Sequence, residues 1–123
     1  MNKKPIKILF VEDELIVSIS LSRILSGTFA EVITAEDGLK GLEAFRKTSP
    51  NIVLTDIRMP KMDGLELSKR IRELDPKVPI IGITASNEEE TLLACKAVGM
   101  VDIVIKPLNA TLLIKKILMF LPE

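Results

Sequence analysis

The chain has 123 residues, 47% of them hydrophobic and 28% charged, with Lys+Arg and Asp+Glu at 17 each and a formal net charge of +0. That is one domain's worth, 1–123, with enough chain to bury roughly two thirds of its unfolded surface in a single core. The charge balance gives no ground for a nucleic-acid or anionic-membrane partner held by bulk charge, and a single Cys with no His excludes an internal disulfide and a zinc site. Any resident metal is therefore expected to be a hard cation held by oxygen, and Mg²⁺ fits best. No apolar run is long enough to span a bilayer, and the start Met1-Asn2-Lys3-Lys4-Pro5 has no leader cleavage pattern. The expected location is the cytoplasm.

Short apolar runs alternate with helical patterns along the chain. Strands are predicted at Ile6–Val11, Glu31–Thr34, Ile52–Thr55, Pro79–Ile83 and Val101–Ile105, each rich in Val or Ile and bounded by Asp, Gly, Pro or Ser. After the first strand, Val17, Leu21, Ile24 and Leu25 form one helical face, while Leu15, Ile16 and Ile19 point elsewhere. Leu67, Ile71 and Leu74 follow a capping-box pattern of Asp63 with Glu66. Ser86 with Glu89 makes the same pattern before Leu92, Leu93 and Val98, and Gly99 stands where the helix would end. Asn109 can cap a last helix with Leu113, Ile117 and Phe120 on one stripe and Ile114, Leu118 and Leu121 on the next.

Strand–helix alternation of this kind predicts an α/β fold, a doubly wound parallel sheet of five strands with five helices on its two faces. The runs at Ile6, Ile52 and Pro79 are almost continuously apolar and suit the centre. Those at Glu31 and Val101 contain polar residues and suit the edges. The order 2-1-3-4-5 satisfies both, and it places a ligand crevice at the carboxyl ends of strands 1 and 3.

The polar residues that follow the strands collect there. Strand 1 leads into Glu12-Asp13-Glu14, strand 3 into Asp56, strand 4 into Thr84-Ala85-Ser86 and strand 5 into Lys106-Pro107. Clustered carboxylates repel one another, and a divalent cation removes that cost. A metal on Asp13 and Asp56, with Thr84 donating to one phosphoryl oxygen and Lys106 pairing with another, is a kit for phosphoryl transfer, and a carboxylate can be the nucleophile. Taken singly, each feature has a plainer reading. Asp13-Glu14 can be helix-start acids, Asp56 and Thr84 turn residues, and Lys106-Pro107 a loop; their joint placement at one edge is what favours a phosphate site.

At these residues the sequence resembles the receiver domain of bacterial response regulators. The matching stretches are Ile8–Glu14, Asp56-Ile57-Arg58-Met59-Pro60-Lys61-Met62-Asp63-Gly64, Thr84-Ala85 and Lys106-Pro107. The resemblance implies a flavodoxin-like three-layer sandwich. It implies that Asp56 is the phosphoacceptor, with Asp13, Asp56 and the backbone carbonyl of Arg58 on Mg²⁺, Glu12 helping through water, and Thr84 and Lys106 on the phosphoryl group. The implied partner is a sensor histidine kinase or His-phosphotransfer protein, docking on the first helix. A homodimer or an output domain would use the last strand and helix. Such a domain assists its own phosphorylation and dephosphorylation and is not a turnover enzyme on an external substrate. Two positions depart from the pattern: Ile103 stands where receivers usually carry Tyr or Phe, and Glu12 where Asp is commoner. Ile103 puts the usual coupling to an aromatic rotamer in question and is the one feature that favours a degenerate receiver acting only as a binding module. A flavin or nucleotide binder is disfavoured, because no glycine-rich phosphate loop follows strand 1.

Overall fold

Alternation along the first strand sets the architecture. Ile8 and Phe10 point to one face of the sheet and Leu9 and Val11 to the other, and all four are buried. A strand apolar on both faces needs a layer of helices on each side. The computed structural model describes residues 2–121 and has this form. In chain order the elements are β1 (Lys4–Val11), α1 (Leu15–Ser26), β2 (Phe29–Ala35), α2 (Gly38–Thr48), β3 (Ile52–Asp56), α3 (Gly64–Leu74), β4 (Ile80–Thr84), α4 (Glu89–Ala97), β5 (Asp102–Ile105) and α5 (Ala110–Met119).

The strands pair in parallel in the order β2-β1-β3-β4-β5. This is the predicted order, with the continuously apolar runs in the centre. Every residue of β3 and β4 is buried, whereas β2 and β5 have exposed positions. Phe45 of α2, Leu67 and Ile71 of α3, and Cys95 of α4 close over Leu9, Val11 and Val53 on one face. Leu21 and Leu25 of α1 and Leu113 and Ile117 of α5 close over Ile8, Phe10, Leu54 and Ile83 on the other. Each fully buried Leu or Ile contributes about 1.5–3 kcal/mol relative to exposure.

Several local expectations need correction. Pro79 and Val101 lie just outside their strands, although Pro79 O accepts from Val53 N at 2.9 Å and Val101 N donates to Ile80 O at 2.8 Å. Strand β2 runs longer than its apolar run because pairing with β1 carries it on to Ala35. On α1 the buried residues are Ser18, Leu21 and Leu25, and Ile24 is about half exposed rather than part of the core face. Asp63 and Asn109 cap α3 and α5 as expected, accepting from Glu66 N at 2.8 Å and Leu112 N at 3.0 Å. Ser86 does not cap α4. Its Oγ accepts from Glu88 N at 3.1 Å, and the helix starts after Glu88, which makes no side-chain cap. The reason is upstream: Ser86 N is taken up by the Thr84 hydroxyl, so the turn closes before the helix begins. Gly99 ends α4 with φ +90, its N–H bonded to Lys96 O while Met100 N reaches Cys95 O, a left-handed termination that favours glycine.

Candidate functional site at the carboxyl ends of the strands

The central strands deliver their last residues to one place. β1 ends at Val11, so Glu12 follows directly; its N–H is held by Ala35 O at 2.9 Å and the residue is 1% exposed. β3 ends at Asp56 and β4 at Thr84, both buried. Lys106 follows β5, with its N–H on Thr84 O at 2.7 Å. Glycine fixes the turn after β3: a Cβ at Gly64 would lie 2.2 Å from Asp56 O, so only glycine lets α3 start directly against the end of β3.

The side chains converge. One oxygen each from Glu12, Asp13 and Asp56 lies within 4.8 Å of the others. Lys106 Nζ is 3.0 Å from Asp56 Oδ2 and 3.9 Å from both Glu12 Oε1 and Glu14 Oε1. Asp56 Oδ1 accepts from Ile57 N at 2.9 Å. Glu12 Oε2 accepts from Glu14 N at 3.1 Å, while Glu12 Oε1 is buried with no hydrogen-bond partner. A cleft of about 520 Å³ opens above them, lined also by Arg58, Ser86, Asn87 and Glu88. The predicted residues Glu12, Asp13, Asp56, Arg58, Thr84 and Lys106 are thus all at one edge of the sheet.

Electrostatics show what this arrangement lacks. Burial pushes the Glu12 carboxyl up to about 7; the Glu14 N–H opposes this, Asp56 adds to it and Lys106 opposes it. For Lys106, burial favours the neutral amine, but the hydrogen bond and charge of Asp56, then Glu12 and Glu14, outweigh it and raise the ammonium above its ordinary value. One ammonium faces three acids, Asp56, Glu12 and Glu14, with Asp13 beside them, and a buried carboxylate oxygen is orphaned. An all-oxygen donor set with surplus negative charge fits a hard divalent cation.

The Thr84 hydroxyl accepts from Ser86 N at 3.1 Å, which leaves its own hydrogen free to donate into the cleft. The sequence reading passed over Glu14 as a helix-start acid. It stands at the N-cap position of α1 without a capping bond and instead faces Lys106. The signal available was only its adjacency to Asp13. Ile103 is partly buried against the α2–α3–α4 side of the core. On α1, Leu15 and Ile16 are 72% and 81% exposed, an apolar pair in the first turn after the acid cluster. Among the described residues no helix is long and apolar enough to cross a membrane.

Comparison with known proteins agrees with this fold. The family model described as the response regulator receiver domain matches residues 8–118. The chemotaxis protein CheY of Treponema pallidum is 34% identical over 119 residues, covering 94% of this chain and 83% of that protein. The transcriptional regulatory protein ZraR of Klebsiella oxytoca is 35% identical over 109 residues, 89% of this chain but only 25% of ZraR. Among solved structures, chemotaxis protein CheY4 of Vibrio cholerae superposes with a TM-score of 0.90 at 30% identity, covering 95% of this chain and 99% of that one.

Proposed function

The chain belongs to the response regulator receiver domain family of two-component systems, and from that premise we propose that Asp56 accepts a phosphoryl group from a phosphohistidine in a Mg²⁺-dependent reaction. An Asp56 carboxylate oxygen attacks phosphorus, the P–N bond breaks, and its electron pair stays on the imidazole nitrogen of the donor, which takes up a proton. The product is an aspartyl phosphate. The observation that carries this reading is the meeting of Glu12, Asp13 and Asp56 within 4.8 Å, beside a single ammonium 3.0 Å from Asp56.

Asp13, Asp56 and the Arg58 backbone carbonyl are the residues to hold Mg²⁺, with Glu12 reaching it through water. When bound, the ion neutralises the carboxylates and the charge on the phosphoryl oxygens. Lys106 leaves Asp56 Oδ2 to pair with a phosphoryl oxygen, and the free Thr84 hydroxyl hydrogen donates to another. Transfer to Asp56 is a modification of the chain itself, so the domain is an acceptor that assists its own phosphorylation and dephosphorylation rather than an enzyme acting on an external substrate. The donor is a sensor histidine kinase or His-phosphotransfer protein on the cytoplasmic side, docking on Leu15 and Ile16 of α1. Readout to a second copy or an output domain runs through β5 and α5.

Intact mass after incubation with Mg²⁺ and an acyl phosphate donor tests this. The expected result is a gain of one phosphoryl group by the parent, dependent on Mg²⁺ and absent in Asp56→Asn. No gain in folded protein would instead favour a phosphorylation-independent binding module, the reading that Ile103 supports.

A further inference from the structure

Resting on the reading of Asp56 as a metal-assisted acceptor, we propose that Gly38, the first residue of α2, is a positioning residue for the metal-binding loop between β3 and α3. That loop carries Arg58, whose carbonyl is the third protein ligand in this reading. Its C-terminal half is pinned by two close backbone approaches at glycines. At its far end, Gly64 lies directly under Asp56 O. Two residues before Gly64, a Cβ at Gly38 would stand 2.1 Å from Met62 O and 2.7 Å from both Met62 C and Met62 Cβ. Two of those three atoms are backbone, so no rotamer change relieves the contact. Any side chain at position 38 moves either the loop or the helix start.

The helix start is not free to move. Asp37 is buried, and its Oδ1 caps α2 by accepting from Lys40 N at 2.8 Å. Its other oxygen, Oδ2, lies 3.8 Å from Lys61 Nζ, an ion pair across the same junction. Lys61 itself holds φ +69, a left-handed conformation that a non-glycine residue adopts only when its surroundings impose it. The loop therefore yields, and the segment that yields holds Arg58. Mg²⁺ tolerates little departure from octahedral geometry, so a shifted carbonyl costs affinity even though position 38 touches no ligand.

Gly41 supplies the control. It lies on the same helix, but a Cβ there would meet Val11 and Leu67 methyl groups at 3.0–3.3 Å, in the core and away from the loop. The test is isothermal titration calorimetry of the full chain with Mg²⁺, on the parent, Gly38→Ala and Gly41→Ala, with the thermal midpoint of each measured without metal. Gly38→Ala is expected to weaken Mg²⁺ binding roughly tenfold or more, while Gly41→Ala lowers the midpoint and leaves the affinity within about twofold. Equal affinity in Gly38→Ala and parent, or equal weakening by Gly41→Ala, overturns the proposal. Should Gly38→Ala not fold, Lys61→Pro moves the same loop from its exposed side by forbidding φ +69. Weakening of about the same size supports the lock, and parent-like affinity overturns it. Absence of saturable binding by the parent overturns the metal reading itself, and this inference with it.

Discussion

Two part-buried cations lie at opposite ends of the sheet. At the amino end, Arg72 of α3 donates to Gly99 O at 2.7 and 3.2 Å, to Val78 O at 2.6 Å and to Asp75 O at 3.2 Å. One guanidinium thus closes the turn before β4 and the turn before β5 onto α3. At the carboxyl end, Lys106 faces Asp56, Glu12 and Glu14, and Glu12 Oε1 still has no hydrogen bond. Arg72 meets neutral carbonyls that need its donors and nothing more. Lys106 meets more negative charge than it can neutralise. The difference separates a group that stabilises the fold from a group whose environment is complete only with a ligand.

Breaking the finished end should have the largest effect on stability. Arg72→Ala removes four hydrogen bonds from a charged donor and leaves three carbonyls to water or to nothing, which costs about 3 kcal/mol. Urea denaturation should show the loss, while Mg²⁺ affinity at the other end stays unchanged.

Completing the unfinished end should raise stability. The Glu12 carboxyl is held at about 7 in the folded chain against an ordinary value of 4.5. Folding therefore takes up a proton between those values. Stability falls as pH rises from about 4.5 to about 7 and stays reduced above that. Glu12→Gln removes this dependence and is expected to stabilise the metal-free chain by about 2 kcal/mol at pH 8, with little effect at pH 4. Saturating Mg²⁺ should flatten the slope of the parent in the same way. Denaturant midpoints across that pH range check both, and metal-free stability of the parent that rises with pH in this window would contradict a raised Glu12 carboxyl.

Ile16 is exposed in the first turn after the acid cluster, so Ile16→Asp should slow phosphotransfer from a kinase about tenfold, or about 1.4 kcal/mol in the barrier, and leave an acyl phosphate reaction unchanged. Rates with the two donors decide. Equal slowing places the residue in the acceptor site rather than on a docking surface.

Most of the carboxyl end was legible in the sequence because each contributor directly follows an apolar run. Asp56, Thr84 and Lys106 needed only strand ends and strand order to be brought together. Caps that depend on a side chain three residues from its target, Asp63 and Asn109, were legible for the same local reason. Ser86 was not, because Thr84 competes for its backbone through a hydrogen bond that no helix pattern encodes. Ile24 fell outside the core because α1 lies on the sheet along Ser18, Leu21 and Leu25, a tilt set by packing. Arg72 left no sequence signal: its carbonyl partners lie 3, 6 and 27 positions away. The contact of Gly38 with Met62 is equally non-local, a close approach of two backbones visible only in three dimensions.

The residue that takes the phosphoryl group can be read directly. Borohydride reduction converts an aspartyl phosphate to homoserine, and peptide mass analysis then locates it. After treatment with an acyl phosphate donor and Mg²⁺, homoserine is expected at position 56 alone, and nowhere when the metal is chelated. Homoserine at position 13, 5-hydroxynorvaline at position 12, or homoserine at 56 without metal would contradict this assignment, as would no reduced residue at all in folded protein with Mg²⁺ present.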